Sequence, residues 1–236
     1  MTDTQGHPFL FCYICQQHIS LKEDKMDKKD TSIKYIPNLE QMQQEDIIET
    51  LSRETVAESI SCVNWEEYPY APEVSVRLAY SEKALVLLYK VSEEHVLGNV
   101  LENNGPVWED SCVETFIKDP INEGYYNIEV NCVGTKLAAH RLSRTEFEHF
   151  SEEKLTKISC YSSLEHKRTD LKDKEWSLLE IIPFDSIGLD KAPEYLYVNF
   201  YKCGDNCSRA HYLSWSPIGL PKPNFHCPEF FGKIRF

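Results

Sequence analysis

Two stretches, Val107-Trp-Glu-Asp-Ser-Cys-Val-Glu-Thr-Phe-Ile-Lys118 and Tyr125-Tyr-Asn-Ile-Glu-Val-Asn131, carry the reading of the fold. In the first, Val113, Thr115 and Ile117 share one parity, and Trp108, Asp110, Cys112 and Glu114 share the other. In the second, Tyr126, Ile128 and Val130 alternate with Asn127, Glu129 and Asn131. Successive side chains of a strand point to opposite faces, so this is the pattern of two half-buried strands. If both apolar sets face a core, Trp108, Glu114, Asn127, Glu129 and Asn131 all lie on the other side of the sheet.

The same period extends outward in both directions. Glu73–Tyr80 alternates, Ala84–Val91 is more continuously apolar, broken only at Lys90, and Ser81-Glu-Lys between them is of hairpin size. Further strands are expected at Glu175–Ile182, Leu196–Lys202 and His211–Trp215, with a tail from Phe225 to Phe236. One segment, between Leu39 and Ile60, has helical spacing through Ile47, Ile48, Leu51 and Val56, with Pro37 ahead of it. The charged stretch 143–174 reads as a loop or short helix. Many short strands without regular strand–helix alternation predict an all-β antiparallel sandwich, immunoglobulin-like or jelly-roll-like, with a short N-terminal helical segment. It is expected to occupy residues 33–236 as one domain, behind a flexible or miscalled extension over 1–32.

Composition narrows the function classes. A formal charge of −13 and the lack of a basic stripe argue against nucleic-acid binding. No apolar run approaches the ~20 residues of a membrane-crossing helix. Nine cysteines cannot all pair within one chain, so they are read as reduced, mostly buried small hydrophobes. The first residues lack the basic start and cleavage pattern of a secretion signal. The default compartment is therefore cytoplasmic, or periplasmic or extracellular if the start is miscalled and translation begins near Met26. Cys12 and Cys15, with His18 following, form a C-x-x-C without a second half.

An indole beside carboxylates and amides can stack on the C–H face of a sugar while its neighbours hold the hydroxyls. Trp108 with Glu114, Asn127, Glu129 and Asn131 is such an ensemble. The segments Pro106–Phe116 and Tyr125–Asn131 with Gly134-Thr resemble the family 9 carbohydrate-binding modules, as do Asn199–Asp205, Leu213-Ser-Trp-Ser-Pro217 and Phe225–Gly232. They look closest to stand-alone family 9-like proteins of Bacteroides-type bacteria. The resemblance implies a β-sandwich that binds sugar without catalysis, with a mono- or oligosaccharide or a polysaccharide chain end as partner. It also implies a role in polysaccharide catabolism beside a separate glycoside hydrolase. By that likeness Trp108 and Phe225 are the two stacking rings, and Glu114, Asn127, Glu129 and Asn131 hold the hydroxyls. Phe225 stands where the family usually has Trp, and Glu129 where it has Arg. The family also leaves calcium open, with oxygen ligands in the Asp119–Glu123 turn. No other cofactor is expected.

Two alternatives come from the residues themselves. Glu114 and Glu129, facing each other across neighbouring strands, would suit a retaining glycosidase. Cys203, Cys207 and His211, with His226 or Cys227 as fourth ligand, have spacing that zinc could use. Trp65, Trp176 and Trp215 are expected in the core.

Overall fold

The computed structural model of the chain describes residues 27–236, so the Cys12, Cys15 and His18 reading lies outside the described residues. The strands begin with β1 (Asp30–Ser32), β2 (Lys34–Tyr35), β3 (Ala57–Ser59), β4 (Cys62–Val63), β5 (Glu73–Tyr80), β6 (Ala84–Gly98), β7 (Cys112–Lys118) and β8 (Tyr125–Asn131). They continue with β9 (Lys136–Arg141), β10 (Phe147–His149), β11 (Ser159–Ser162), β12 (Thr169–Pro183), β13 (Tyr195–Cys203), β14 (Tyr212–Ser214) and β15 (Gly232–Arg235). The α-helices among the described residues are α1 (Gln44–Glu54) and α2 (Glu152–Lys157).

The strands form a sandwich of two sheets. Sheet I runs β1-β15-β13-β7-β8-β9-β10, with β14 joined to β13 and β4. Sheet II runs β11-β12-β6-β5-β2, with β3 also on β5. Pairing is antiparallel except at two short edges, β1 with β15 and β2 with β5. The sandwich is thus the expected one, with small parallel margins that adjacency in sequence does not predict. The segment Asp30–Ser32 was expected in the extension, yet it is zipped to the C-terminal strand, where Lys233 N–H donates to the Lys29 carbonyl at 2.8 Å.

Apolar parity explains the packing. Val113, Ile117, Ile128, Val130, Val198 and Phe200 from sheet I meet Val76, Leu87, Tyr89, Leu178 and Ile182 from sheet II in the central core. Trp176 and Trp215 are buried there, and Trp65 is buried beneath the opposite face of sheet I, all as expected for core residues. Gly232 is required beside Trp215, because a Cβ there would sit 2.5 Å from the indole and 2.6 Å from the Lys29 carbonyl oxygen.

The helical segment is shorter than the 39–60 spacing predicts. A single 3-10 turn covers Leu39–Gln41, and α1 ends at Glu54. Thr55 and Val56 are β-branched, and Ala57–Ser59 instead pairs with the edge of β5, which supplies the hydrogen bonds a longer helix would have made internally. Ile47 and Leu51, one turn apart, seat α1 on Val86, Leu88, Leu179 and Ile181 of the outer face of sheet II. The charged stretch holds α2 as expected, along with β10, β11 and the first half of β12. β6 and β12 are longer than predicted because they pair along their whole length, Thr169 opposite Gly98 through Pro183 opposite Ala84.

Candidate functional site

The outer face of sheet I bears the polar parity read from the sequence. Cross-strand rows place Tyr201, Glu114, Glu129 and Leu137 side by side, and next to them Cys203, Cys112 and Asn131. Loops rise around this floor to enclose a pocket of about 380 Å³. Its lining includes Trp108, Glu114, Glu129 and Phe225, so four of the six expected site residues meet there.

Trp108 lies on a 3-10 turn, Val107–Glu109, rather than in the strand, which begins only at Cys112. Its side chain is 38% exposed at the pocket edge. The turn is held from two sides. Its Trp108 and Glu109 carbonyls accept from the N–H groups of Asp205 and Asn206 at 3.3 and 2.9 Å. The Asp110 carboxylate behind it accepts from the Asn99 and Val100 N–H groups, each at 2.9 Å. Phe225, 9% exposed, lies flat on Tyr201 with centroids 4.0 Å apart and an 8° interplanar angle, and Trp65 packs 6.1 Å away. One of its faces is therefore already covered.

The two amides are placed differently. Asn127 is fully buried, donates to Glu129 Oε1 at 2.7 Å and accepts from Arg141 Nε at 2.7 Å, so it ties those two groups together from below. Asn131 is not brought into the lining. Its Nδ2 donates to the Val100 carbonyl and to Asp110, and its Oδ1 accepts from the N–H groups of Val133 and Thr135. It fastens the Trp108 turn and the tight turn at Gly134, whose φ of 85° is the left-handed region that favours glycine.

Several lining residues were not anticipated: Arg141, Arg144, Phe147, Asp205, Tyr212 and Asn224. Arg141 bears directly on the charge reversal at Glu129. It lies on β9 over the Phe147 ring at 4.2 Å, donates to the Arg144 carbonyl, and its charge favours ionised Glu129. A guanidinium thus reaches the pocket beside Glu129 from the neighbouring strand. The signal available was parity in Lys136-Leu-Ala-Ala-His-Arg141, where Leu137, Ala139 and Arg141 share the Glu129 face.

Burial governs the protonation of the floor. It pushes Glu114 well above the usual carboxylate range, reinforced by Cys203 and Glu129, and Glu114 accepts from the Cys203 thiol at 3.1 Å. Burial lifts Glu129 to about 7, against the Asn127 hydrogen bond and Arg141, which hold it down. His226 is driven down to about 3 by burial and by Arg141 and Arg144, leaving a neutral ring whose Nδ1 lies 3.1 Å from the Tyr125 hydroxyl. At neutral pH the floor therefore offers both donors and acceptors, as recognition of hydroxyls requires.

The zinc set raised as an alternative is not assembled among the described residues. Alternation along β13 sends Cys203 to the pocket face and Lys202 to the core, while Cys207 and His211 pack around Gly204. Cys207 lies 3.4 Å from Ser111 Oγ, His211 is held by Lys202 and the Arg209 carbonyl, and Cys227 donates to the Asn224 carbonyl. At the Asp119–Glu123 turn, Asp119 accepts from Ile121 N–H at 3.1 Å and from the Asn122 amide, which occupies both carboxylate oxygens. No group of three Asp, Glu, His or Cys ligand atoms gathers there among the described residues.

The sequence profile of carbohydrate-binding family 9 matches residues 45–236. A candidate carbohydrate-binding protein from Bacteroides uniformis is 35% identical, covering 89% of this chain and all of that one, with a TM-score of 0.83. A family 9 module from Caldicellulosiruptor kristjanssonii, solved in complex with glucose, is 16% identical over 88% of this chain and 95% of its own, with a TM-score of 0.54. The same module in complex with cellotriose gives 16%, 88%, 93% and 0.53. Among curated proteins no match was found. A profile match across most of the sequence, together with a fully covered relative above 30% identity, establishes that the chain belongs to carbohydrate-binding family 9.

Proposed function

We propose that the chain binds carbohydrate without catalysis, taking a mono- or oligosaccharide or a polysaccharide chain end in the Trp108 pocket. The observation that carries this reading is an indole standing 38% exposed beside a pocket floored by Glu114 and Glu129. An indole face over a hydrogen-bonding floor complements a pyranose, which has C–H on its faces and hydroxyls at its rim. Phe225 supplies an apolar wall. Glu129, steadied by Asn127 and Arg141, accepts from the sugar hydroxyls, and protonated Glu114 can donate. The glucose and cellotriose complexes of a protein with the same fold support the reading. Within it, the chain works in polysaccharide catabolism, retaining glycan for a separate glycoside hydrolase.

Glu114 and Glu129 are register partners, as the glycosidase alternative requires. Sugar binding accounts for both without chemistry, because Glu129 is pinned by Asn127 and Glu114 is engaged by a thiol. Trp108→Ala should abolish retention on a glycan array while leaving the melting temperature within a few degrees. Unchanged retention would sink the site assignment. The wild type should release no reducing ends from any glycan it retains; release that disappears in Glu114→Gln would establish the hydrolase instead.

A further inference from the structure

Beneath the pocket, β7 and β13 bring two thiols and a carboxyl group into contact. Cys112 and Cys203 are register partners, and Glu114 follows Cys112 by two positions, so all three side chains leave the same face. One ligand atom from each lies within 4.8 Å of the other two. The residues are 0%, 1% and 4% exposed and all stand on strands, which fix their spacing better than loops would.

We propose that Cys112, Cys203 and Glu114 form a binding site for a thiophilic divalent cation of the zinc and cadmium class.

Zinc holds sulfur at about 2.3 Å and carboxylate oxygen at about 2.0–2.2 Å, so three such ligands around one ion lie well within the observed spread. Two thiolates select against calcium and magnesium, which take all-oxygen sites. Cys203 and Glu114 line the pocket while Cys112 does not, so the fourth position opens towards the cavity. Outside the cluster the contacts of the sulfurs are long, Cys112 to the Val113 carbonyl at 3.5 Å and Cys203 to the Trp108 carbonyl at 3.6 Å, while within it the Cys203 thiol donates to Glu114 at 3.1 Å. The nearby cations are committed elsewhere, Lys202 to Glu93 on the opposite face and Arg141 to Asn127.

Binding would exchange the protons of two thiols and a carboxyl group for one cation. Protons compete with the cation for all three ligand groups, so affinity should rise with pH.

The test uses the full chain carrying Cys12→Ser and Cys15→Ser, which removes the N-terminal C-x-x-C as a rival ligand. Thiols are reduced and counted first, since register-paired cysteines also meet the spacing of a disulfide. The probe is cadmium alone. The expected result is one equivalent bound, an ultraviolet thiolate-to-cadmium charge-transfer band, and loss of that band on adding Cys112→Ser. An undiminished band in that variant, or no band in the fully reduced parent, overturns the site. If Cys112→Ser does not fold by circular dichroism, Cys203→Ser is judged by the same criterion. Cadmium NMR of the parent needs no further variant: a shift of the two-sulfur class is expected, and an all-oxygen or four-sulfur shift refutes the assignment. Glycan retention is not the readout, so failure of the metal site and failure of the sugar site are told apart.

Discussion

Lys202 and Cys203 are neighbours on β13, yet they look into opposite sides of sheet I. On the inner side, Lys202 Nζ meets Glu93 at 2.9 Å and His211 at 2.7 Å, and Trp176 donates to the other Glu93 oxygen at 2.7 Å. Lys202 and the Glu93 side chain are 0% exposed, and burial together with Lys202 drives His211 down to about 2, holding the ring neutral. On the outer side, Cys203 and Glu114 face a pocket, and Glu114 has a thiol for its partner. A strand pair thus separates a closed polar network, in which charge is matched within the protein, from an open one whose hydrogen-bonding capacity is left for something outside. The first builds the fold, and the second is the side on which the proposed ligand would sit.

This contrast can be tested by breaking the closed side first. Lys202→Met leaves Glu93 buried without its cation and should cost about 3–5 kcal/mol in urea denaturation. If the loss is under about 1 kcal/mol, the inner network is not a matched charge system. A smaller effect is expected at Glu180, which lies in the core with one oxygen bonded to Thr115 at 2.6 Å and the other unpartnered. Burial lifts this carboxyl to about 7. Because the folded value exceeds the unfolded one, the folded state holds the proton more tightly. Stability is then drained as pH rises from about 4.5 to 7 and is level above that. Glu180→Gln should remove a fall of about 3 kcal/mol across that window. Denaturation midpoints that track the wild type at every pH would contradict it. The smallest effect is expected at Asn131, which shares the outer face without entering the pocket. Asn131→Ala should cost about 1–3 kcal/mol, as buried turn amides lose their partner. Glycan retention per folded molecule should stay within a few-fold of wild type. Loss of retention at full stability would make Asn131 a ligand contact.

The two faces were also legible to different degrees. Parity over Cys112–Lys118 and Tyr125–Asn131 identifies the floor because alternation is a one-dimensional property, visible wherever one face is apolar. It does not tell an amide that meets ligand from one that meets backbone, and so Asn127, Glu129 and Asn131 look equivalent in sequence while doing three different things. β9 was missed because Lys136-Leu-Ala-Ala-His-Arg141 carries little β-branched or aromatic signal and is held by its neighbours on both sides. Arg141 was missed with it. The pocket walls at Asp205 and Asn224 come from connections that follow no period, Tyr212 comes from the start of β14, and only the folded chain brings them together. Cys203, Cys207 and His211, the spacing of the zinc alternative, are close in sequence but parted where β13 ends.

The seam between β1 and β15 has a mechanical consequence. Asp30, Thr31 and Ser32 run parallel to Lys233, Ile234 and Arg235 in register. A pull on the chain ahead of Asp30 and an opposing pull on Phe236 act along these strands in opposite directions. The three pairs are then loaded together in shear, instead of being peeled apart in turn. The edge where the described chain starts and finishes is therefore built to resist tension applied through its own ends.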